Sequence, residues 1–169
     1  ADGSVITASC PNTGAMLGLT APESATYLIH APAATRRYDY RWELIAENGG
    51  WVGINTGRPN TLIEEAITNG TITELQGYES LRREVKYGTN SRIDLLLENP
   101  GKPPAYVEVK NCHLRRDGTL AEFPDSVTTR GAKHLDELAA QVALGNRAVM
   151  VFCVQRADCE AFSVAGAID

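Results

Sequence analysis

Two apolar runs at residues 91–97 and 105–110, joined by a short polar loop, constrain the fold of this chain more than any other feature. The loop at 99–104 is rich in proline and glycine, the residues that make tight turns, so we expect the runs to form a β-hairpin or neighbouring strands. Helical and strand-like patterns alternate from Arg58 onward, which is typical of an α/β sheet. We therefore predict a mixed α/β domain for this part of the chain.

The chain before Arg58 has a different pattern, with short strand-like runs separated by turn signals. It predicts part of a small barrel or sheet module over residues 1–56, followed by a second domain over 57–169. The sequence begins at Ala1, inside what reads as a strand, and stops at Asp169 just after another apolar run. We therefore expect a piece that is shortened at both ends. The strand-like runs lie at 4–9, 25–31, 38–46 and 51–55.

Two helices and a buried strand are predicted in the second domain. Thr61 and Glu64 have the spacing of a capping box, and Gly70 ends this first helix. A second helix is predicted over 129–144. The apolar run at 148–154 is typical of a strand that is buried on both faces. The residues expected on the buried stripe of the second helix are Leu135, Leu138, Ala139 and Val142.

The composition excludes some classes of protein. Apolar residues make up 43% of the chain and charged residues 22%, a balance that argues against intrinsic disorder. The formal net charge of −5 weighs mildly against a nucleic-acid binder, which usually has a basic excess. No run approaches the roughly 18 apolar residues of a membrane helix, so no membrane partner is expected. Four cysteines without a CxxC pair indicate free thiols in a reducing compartment, and we expect a cytoplasmic protein.

Asp94, Glu108 and Lys110 form the most informative group of polar residues. Alternate side chains of a strand share a face, so Glu108 and Lys110 are expected to point the same way. Asp94 lies in an apolar run, where an unpaired carboxylate would be costly. Two acids and a lysine at the ends of neighbouring strands can bind Mg²⁺ and stabilise charge on a phosphate, which is the chemistry of phosphodiester hydrolysis. The alternative is an ordinary exposed sheet face, since Glu-x-Lys is common in strands.

The order of helices and strands around these three residues resembles the PD-(D/E)XK nuclease superfamily. Longer strings make the resemblance more specific, and on them the whole chain resembles the sugar fermentation stimulation protein family. This family implies an OB-like module, here partial, followed by a PD-(D/E)XK nuclease-like mixed sheet flanked by helices. It also implies non-specific DNA binding and a regulatory role in sugar (maltose) metabolism. The strings are CPNTGAM at 10–16, EVKYG at 84–88, SRID at 91–94, VEVK at 107–110, FPD at 123–125 and RGAKHL at 130–135.

The resemblance assigns roles to individual residues of this chain. Asp94 and Glu108 fall on metal-binding positions of the family motif, and Lys110 falls on the position of the catalytic lysine. The backbone carbonyl of Val109 is a further expected metal ligand.

An acid on the first helix often completes such sites, and Glu64 and Glu65 compete for this role. Because Glu64 is expected to serve the capping box, Glu65 is the better candidate. Glu84, at the start of a predicted strand just before the hairpin, is a further candidate acid; the alternative is that it is an ordinary solvated residue at the strand end.

Basic residues are candidates for contact with nucleic acid. Arg130 and His134 are four residues apart and lie one above the other on a helix, where they and Lys133 can meet a phosphate or the leaving group. The alternative is a surface arginine and a half-buried histidine. In the first module a basic, aromatic stretch is typical of OB-type binding surfaces, and its alternative is an amphipathic strand with core aromatics. The stretch consists of Arg36, Arg37, Tyr38, Tyr40, Arg41 and Trp42, and the residues predicted to contact nucleic acid are Arg36, Arg37, Tyr38 and Arg41.

The sequence thus predicts a DNA-binding protein with a metal-dependent, nuclease-like site. Catalysis would depend on Asp94, Glu108, Lys110, Glu65 and His134, with Mg²⁺ or Mn²⁺ as the cofactor. DNA is the expected partner, without sequence specificity, and a homodimer is one arrangement that the sequence leaves open. Two alternatives are a non-cleaving DNA-binding transcriptional regulator on an inactive nuclease scaffold and a protein that binds a sugar phosphate.

Overall fold

The computed structural model describes residues 3–127 and 129–169, which form ten strands, two α-helices and a 3-10 helix. They divide into two compact units, the first comprising Ala1–Gly57, Cys112–Val127 and Val154–Asp169, and the second Arg58–Asn111 and Thr128–Cys153. The predicted linear boundary near residue 56 stays a prediction. In chain order the elements are β1 Ala8–Ser9, β2 Thr26–His30, β3 Tyr40–Glu47, β4 Gly50–Gly53, α1 Pro59–Thr68, the 3-10 helix Thr73–Leu75, β5 Ser80–Tyr87, β6 Ser91–Asn99, β7 Lys102–Cys112, β8 Leu120–Phe123, α2 Thr129–Ala143, β9 Arg147–Val154 and β10 Ala161–Val164.

The first unit is built around β3. Strands β2 and β4 pair with β3 in antiparallel fashion, and β1 pairs with its start in parallel. The predicted run at 4–9 is strand only at Ala8 and Ser9. The sequence patterns did not predict β8 and β10, which form a separate parallel pair. The buried core of this unit consists of Met16, Leu19, Ile45, Val52 and Ile54.

The second unit is a four-stranded sheet in the order β5-β6-β7-β9, with one helix against each face. The predicted hairpin of β6 and β7 is confirmed, since Asn99 pairs with Lys102 across a two-residue turn. Gly101 in this turn has a φ of +91°, which glycine adopts without steric cost. Helix α1 packs Ile63 and Ile67 on one face of the sheet, and α2 packs Leu138 on the other. No helix in the described ranges is long and apolar enough to cross a membrane.

The predicted capping box of the first helix is wrong. Helix α1 begins at Pro59 with Arg58 as the N-cap, so Thr61 lies inside the helix. The physical reason is proline itself, because its fixed φ and missing N–H suit the first helical position and start the helix earlier.

The predicted burial of two further segments is also wrong. Of the stripe expected on α2, Leu138 is buried, whereas Leu135 and Val142 are half exposed. The buried face of α2 carries His134, Leu138 and Gln141. Polar side chains can be buried there because hydrogen-bond partners inside the unit offset the cost of removing them from water. Strand β9 is half-buried rather than enclosed on both faces, because it lies at one edge of the strand order.

Candidate functional site

The structure brings Asp94, Glu108, Lys110 and His134 together in the second unit. Strand β7 places Glu108 and Lys110 on the face covered by α2, where Glu108 contacts His134. The valines at the alternate positions of β7 pack in the cluster beneath α1. The predicted alternation of side chains along β7 is therefore confirmed, and Glu108 and Lys110 point away from the core beneath α1.

Asp94 lies where β6 changes the face to which its side chains point. Regular alternation would put Ile93 and Leu95 on the same face, yet Ile93 packs in the α2-side cluster and Leu95 in the α1-side cluster. In the neighbouring strand, Glu84 lies between the residues that pair with these two and has a left-handed φ of +53°. The two strands therefore change faces together, and the change directs the Asp94 carboxylate toward the start of α1 and the backbone of β7.

Both carboxylate oxygens of Asp94 are held by hydrogen bonds. Asn60 Nδ2, in the first turn of α1, donates to Oδ1 at 2.8 Å, and the backbone N–H of Val109 donates to Oδ2 at 2.7 Å. Burial raises the pKa of Asp94, the Val109 bond opposes this, and the charge of Glu108 raises the pKa further. The carboxylate of Asp94 is thus held in a fixed position by two donors.

Glu108 is buried, with 3% of its surface exposed, and its two oxygens differ. Oε1 lies 2.6 Å from both Lys110 Nζ and His134 Nδ1. An ionised carboxylate only accepts hydrogen bonds, so in the contact with an ionised Glu108 it is Nδ1 of His134 that carries the proton. Oε2 is buried and has no hydrogen-bond partner among the described residues. A buried acceptor without a partner indicates that a water or an ion belongs there.

The donor set of this site fits a hard divalent cation. Asp94 and Glu108 supply carboxylate oxygens, the ligand type that such cations prefer. In the described part of the chain, no group of three or more His, Cys, Asp or Glu residues is arranged to hold a metal by itself. The remaining positions around a cation would fall to a backbone carbonyl, to waters or to substrate oxygens, as is usual for Mg²⁺.

The two candidates for the acid on the first helix, Glu64 and Glu65, lie in different environments. Glu64 shares a helix face with Asn60, four residues earlier. Its Oε2 lies 3.1 Å from Arg83 Nη1. Glu65 is exposed. Because α1 has no side-chain cap, Glu64 is not engaged in a capping box, and a functional role of Glu65 stays a prediction.

Sequence reasoning missed Asn60 and Tyr87 as residues of this site. Asn60 follows the proline that begins α1, and a polar residue in a first helical turn is a signal that could have suggested contact with the sheet. Tyr87 ends β5 inside the EVKYG string, and its hydroxyl is buried near Glu108, Asp94 and Glu137.

The basic candidates lie in different environments. Lys133 is exposed and 3.7 Å from Glu137, whereas the side chain of Arg130 lies outside the described residues. In the first unit, Arg36 is exposed and donates to the Ala31 carbonyl.

The other members of the basic, aromatic stretch are close to one another. The guanidinium of Arg37 lies 5.2 Å from the centre of the Tyr38 ring, a cation–π arrangement. Arg41 is paired with the buried Glu43, so its charge is compensated inside the unit. Their binding of nucleic acid stays a prediction.

Comparisons with known proteins cover nearly the whole chain. The family model of the sugar fermentation stimulation protein RE domain matches residues 57–169, and that of the SfsA N-terminal OB domain matches residues 1–54. The sugar fermentation stimulation protein homolog of Rhodospirillum centenum is 58% identical over 168 residues, which is 99% of this chain and 72% of that protein. The homolog of Agrobacterium fabrum is 55% identical over 99% of this chain and 70% of its own length.

A solved structure is similar as well. The structure of Pyrococcus furiosus SfsA in complex with Ca²⁺ matches with a TM-score of 0.87 at 28% identity, covering 99% of this chain and 70% of that one. The predicted architecture, an OB-like module with a nuclease-like α/β domain, is confirmed by these matches.

Proposed function

This chain belongs to the sugar fermentation stimulation protein family, and on that premise we propose that it binds a divalent cation between Asp94 and Glu108 and uses this site on the phosphodiester backbone of DNA. The observation that carries the proposal is Oε2 of Glu108, which is buried without a hydrogen-bond partner in the described ranges. An unpartnered, buried carboxylate oxygen is costly, and a cation is the partner that also neutralises the neighbouring charge of Asp94.

The proposed cation is Mg²⁺ or Mn²⁺, held by Asp94 and Glu108 with the Val109 carbonyl as a further ligand. The relative from Pyrococcus furiosus was solved in complex with Ca²⁺, a hard cation that also binds through oxygen. A cation bound here would lower the pKa of a water and neutralise charge on a phosphate.

The other residues of the site act on Glu108 and on the phosphate. Lys110 and His134 donate to the same oxygen of Glu108, which fixes the carboxylate and leaves Oε2 as the oxygen directed to the cation. The ammonium group of Lys110 also places a positive charge next to the position where negative charge on a phosphate would develop.

All four cysteines are free thiols, in keeping with the proposed cytoplasmic location.

A second candidate function is DNA binding without cleavage. It is favoured by the small number of acidic ligands, because the described residues supply two carboxylates and no third acid to the proposed metal site. In this alternative the nuclease scaffold supplies shape and phosphate contacts to a transcriptional regulator, and binding would weaken steeply with salt.

The test combines calorimetric titration of Mg²⁺, Mn²⁺ and Ca²⁺ with nicking of supercoiled plasmid in the same samples. Glu108→Gln is the informative variant, and Glu98→Gln is its matched control because Glu98 pairs with Arg82 on the surface of the same sheet. We expect cation binding and Mg²⁺-dependent nicking in the wild type and the control, and the loss of both in Glu108→Gln. Unchanged cation affinity in Glu108→Gln would overturn the proposed site, and cation binding without nicking would favour the regulator.

A further inference from the structure

Besides Oε2 of Glu108, the buried polar atoms without a hydrogen-bond partner in the described part of the second unit are the hydroxyl of Tyr87 and the two carboxylate oxygens of Glu137. Tyr87 is 8% exposed, and its hydroxyl is buried without a hydrogen-bond partner among the residues that the structure describes. Buried tyrosine hydroxyls usually have a partner, because an unmade hydrogen bond costs the desolvation of the group. Something that is not a described side chain or backbone group is therefore expected to contact it.

The position of Tyr87 places its side chain on the same face of the sheet as Glu108. Tyr87 is the last residue of β5 and pairs with Ser91 of β6. It packs with Ile93 and Leu138 in the cluster beneath α2, the face of the sheet on which Glu108 contacts His134. Strand β5 and helix α2 thus direct the phenol group of Tyr87 to the side of the sheet that holds the buried carboxylate.

The surroundings of Tyr87 keep it a neutral hydroxyl. Burial and the charges of Glu108, Glu137 and Asp94 raise the pKa of Tyr87 to about 12. The hydroxyl therefore keeps its proton and can both donate and accept a hydrogen bond at neutral pH.

Two buried, unpartnered atoms, Oε2 of Glu108 and the hydroxyl of Tyr87, therefore lie on the same side of the sheet. We propose that a water in the first shell of the cation joins them, with Tyr87 as a positioning residue whose hydroxyl hydrogen-bonds to that water while Glu108 binds the cation. This rests on the proposed function, because the water is held only when the cation is bound. Hard divalent cations such as Mg²⁺ keep several waters, so the arrangement suits the proposed ligand.

Tyr87→Phe tests this proposal, with Tyr106→Phe as its matched control. The two rings are neighbours, with centroids 5.5 Å apart, so the variants perturb the same cluster and remove one hydroxyl each. Because the hydroxyl of Tyr87 lacks a partner in the metal-free protein, its removal is expected to leave the unfolding transition in urea with chelator unchanged or shifted to higher urea. Cation affinity, measured by calorimetric titration of Mn²⁺, is expected to fall about 10-fold in Tyr87→Phe, as is usual when a group that orients a metal ligand is lost.

A spectroscopic readout separates positioning from packing. Tb³⁺ takes oxygen ligands as Ca²⁺ does, and its luminescence lifetimes in H₂O and D₂O report how many waters are bound to it. We expect Tyr87→Phe to change this water count and Tyr106→Phe to keep the wild-type count. Equal Mn²⁺ affinities and equal Tb³⁺ water counts in Tyr87→Phe and the wild type would overturn the proposal.

Glu108→Gln, measured in the same series, tells the two failures apart. If Glu108→Gln abolishes cation binding while Tyr87→Phe behaves as the wild type, only the role of Tyr87 is refuted. If the wild type does not bind Mn²⁺ or Tb³⁺, or if Glu108→Gln binds them equally well, the proposed function fails and the role of Tyr87 fails with it.

Discussion

Substitution of His134 tests whether hydrogen bonds hold Glu108 in the orientation that binds the cation. His134 is 8% exposed, and its Nδ1 lies 2.6 Å from Glu108 Oε1, so water competes little for this contact. A hydrogen bond to a charged group contributes about 1.5–3 kcal/mol, and each 1.4 kcal/mol corresponds to roughly a tenfold change in an equilibrium constant. We therefore expect His134→Ala to weaken cation binding by about 10- to 100-fold, the range observed when a group that orients a metal ligand is removed.

His134→Asn is the matched variant, because its amide nitrogen can take the place of Nδ1 and donate to the same oxygen. Calorimetric titration of Mn²⁺ into the wild type and both variants gives the affinities, and urea unfolding with chelator gives the stability of each metal-free protein. We expect the Asn variant to recover most of the affinity that the Ala variant loses.

The reasoning would be refuted if His134→Ala bound Mn²⁺ with wild-type affinity while its free energy of unfolding fell. His134 would then stabilise the packing of α2 without orienting Glu108. Recovery of affinity without recovery of plasmid nicking in His134→Asn would instead assign the imidazole ring a part in the reaction.

Three further substitutions test other parts of the structure. Lys110→Met removes one of the two donors that fix Glu108 together with the positive charge proposed to act on the phosphate, so Mg²⁺-dependent plasmid nicking should be lost while His134 still contacts Oε1; nicking at the wild-type rate contradicts this. Arg156 holds the pKa of Asp158 at about 2, against 3.8 for the unfolded chain. Above pH 3.8 the pair therefore contributes about 2 kcal/mol to the free energy of unfolding, and this contribution is lost as the pH falls through 2. Urea unfolding should show Asp158→Asn destabilised at pH 7 and nearly unchanged at pH 2. At Glu84, where φ is +53°, Gly should be more stable than Ala by about 1 kcal/mol in chemical denaturation, the reverse of their order in a regular strand.

The parts of the fold that were predictable from sequence are those encoded locally. A turn rich in proline and glycine between two apolar runs determines the β6–β7 hairpin without reference to the rest of the chain. The alternation along β7 likewise places Glu108 and Lys110 on one face, because the period of two is a property of the strand itself. These two local rules brought the central residues of the site to the correct strands and, for β7, to the correct face.

The errors arose where a neighbouring element decides the outcome. The stripe on α2 was assigned by counting apolar residues, yet the face turned inward carries His134 and Gln141, because Glu108 offers His134 a buried acceptor. The capping box failed because Pro59 starts the helix before Thr61 can cap it. Tyr87 was not singled out because a tyrosine at a strand end has no distinctive signature until its surroundings are known.

The change of face at Asp94 explains how two acids can approach each other in a buried sheet. Leu95 pairs with Val107, and continuing this register would set Asp94 directly opposite Glu108, with both carboxylates on the same face. Like charges opposite each other in antiparallel strands are destabilising, more so when they are buried. The change of face instead gives Asp94 the backbone N–H of Val109 as a donor, while Glu108 keeps Lys110 and His134. Each acid thus has its own donors, and the repulsion that remains between them is what a bound cation would remove.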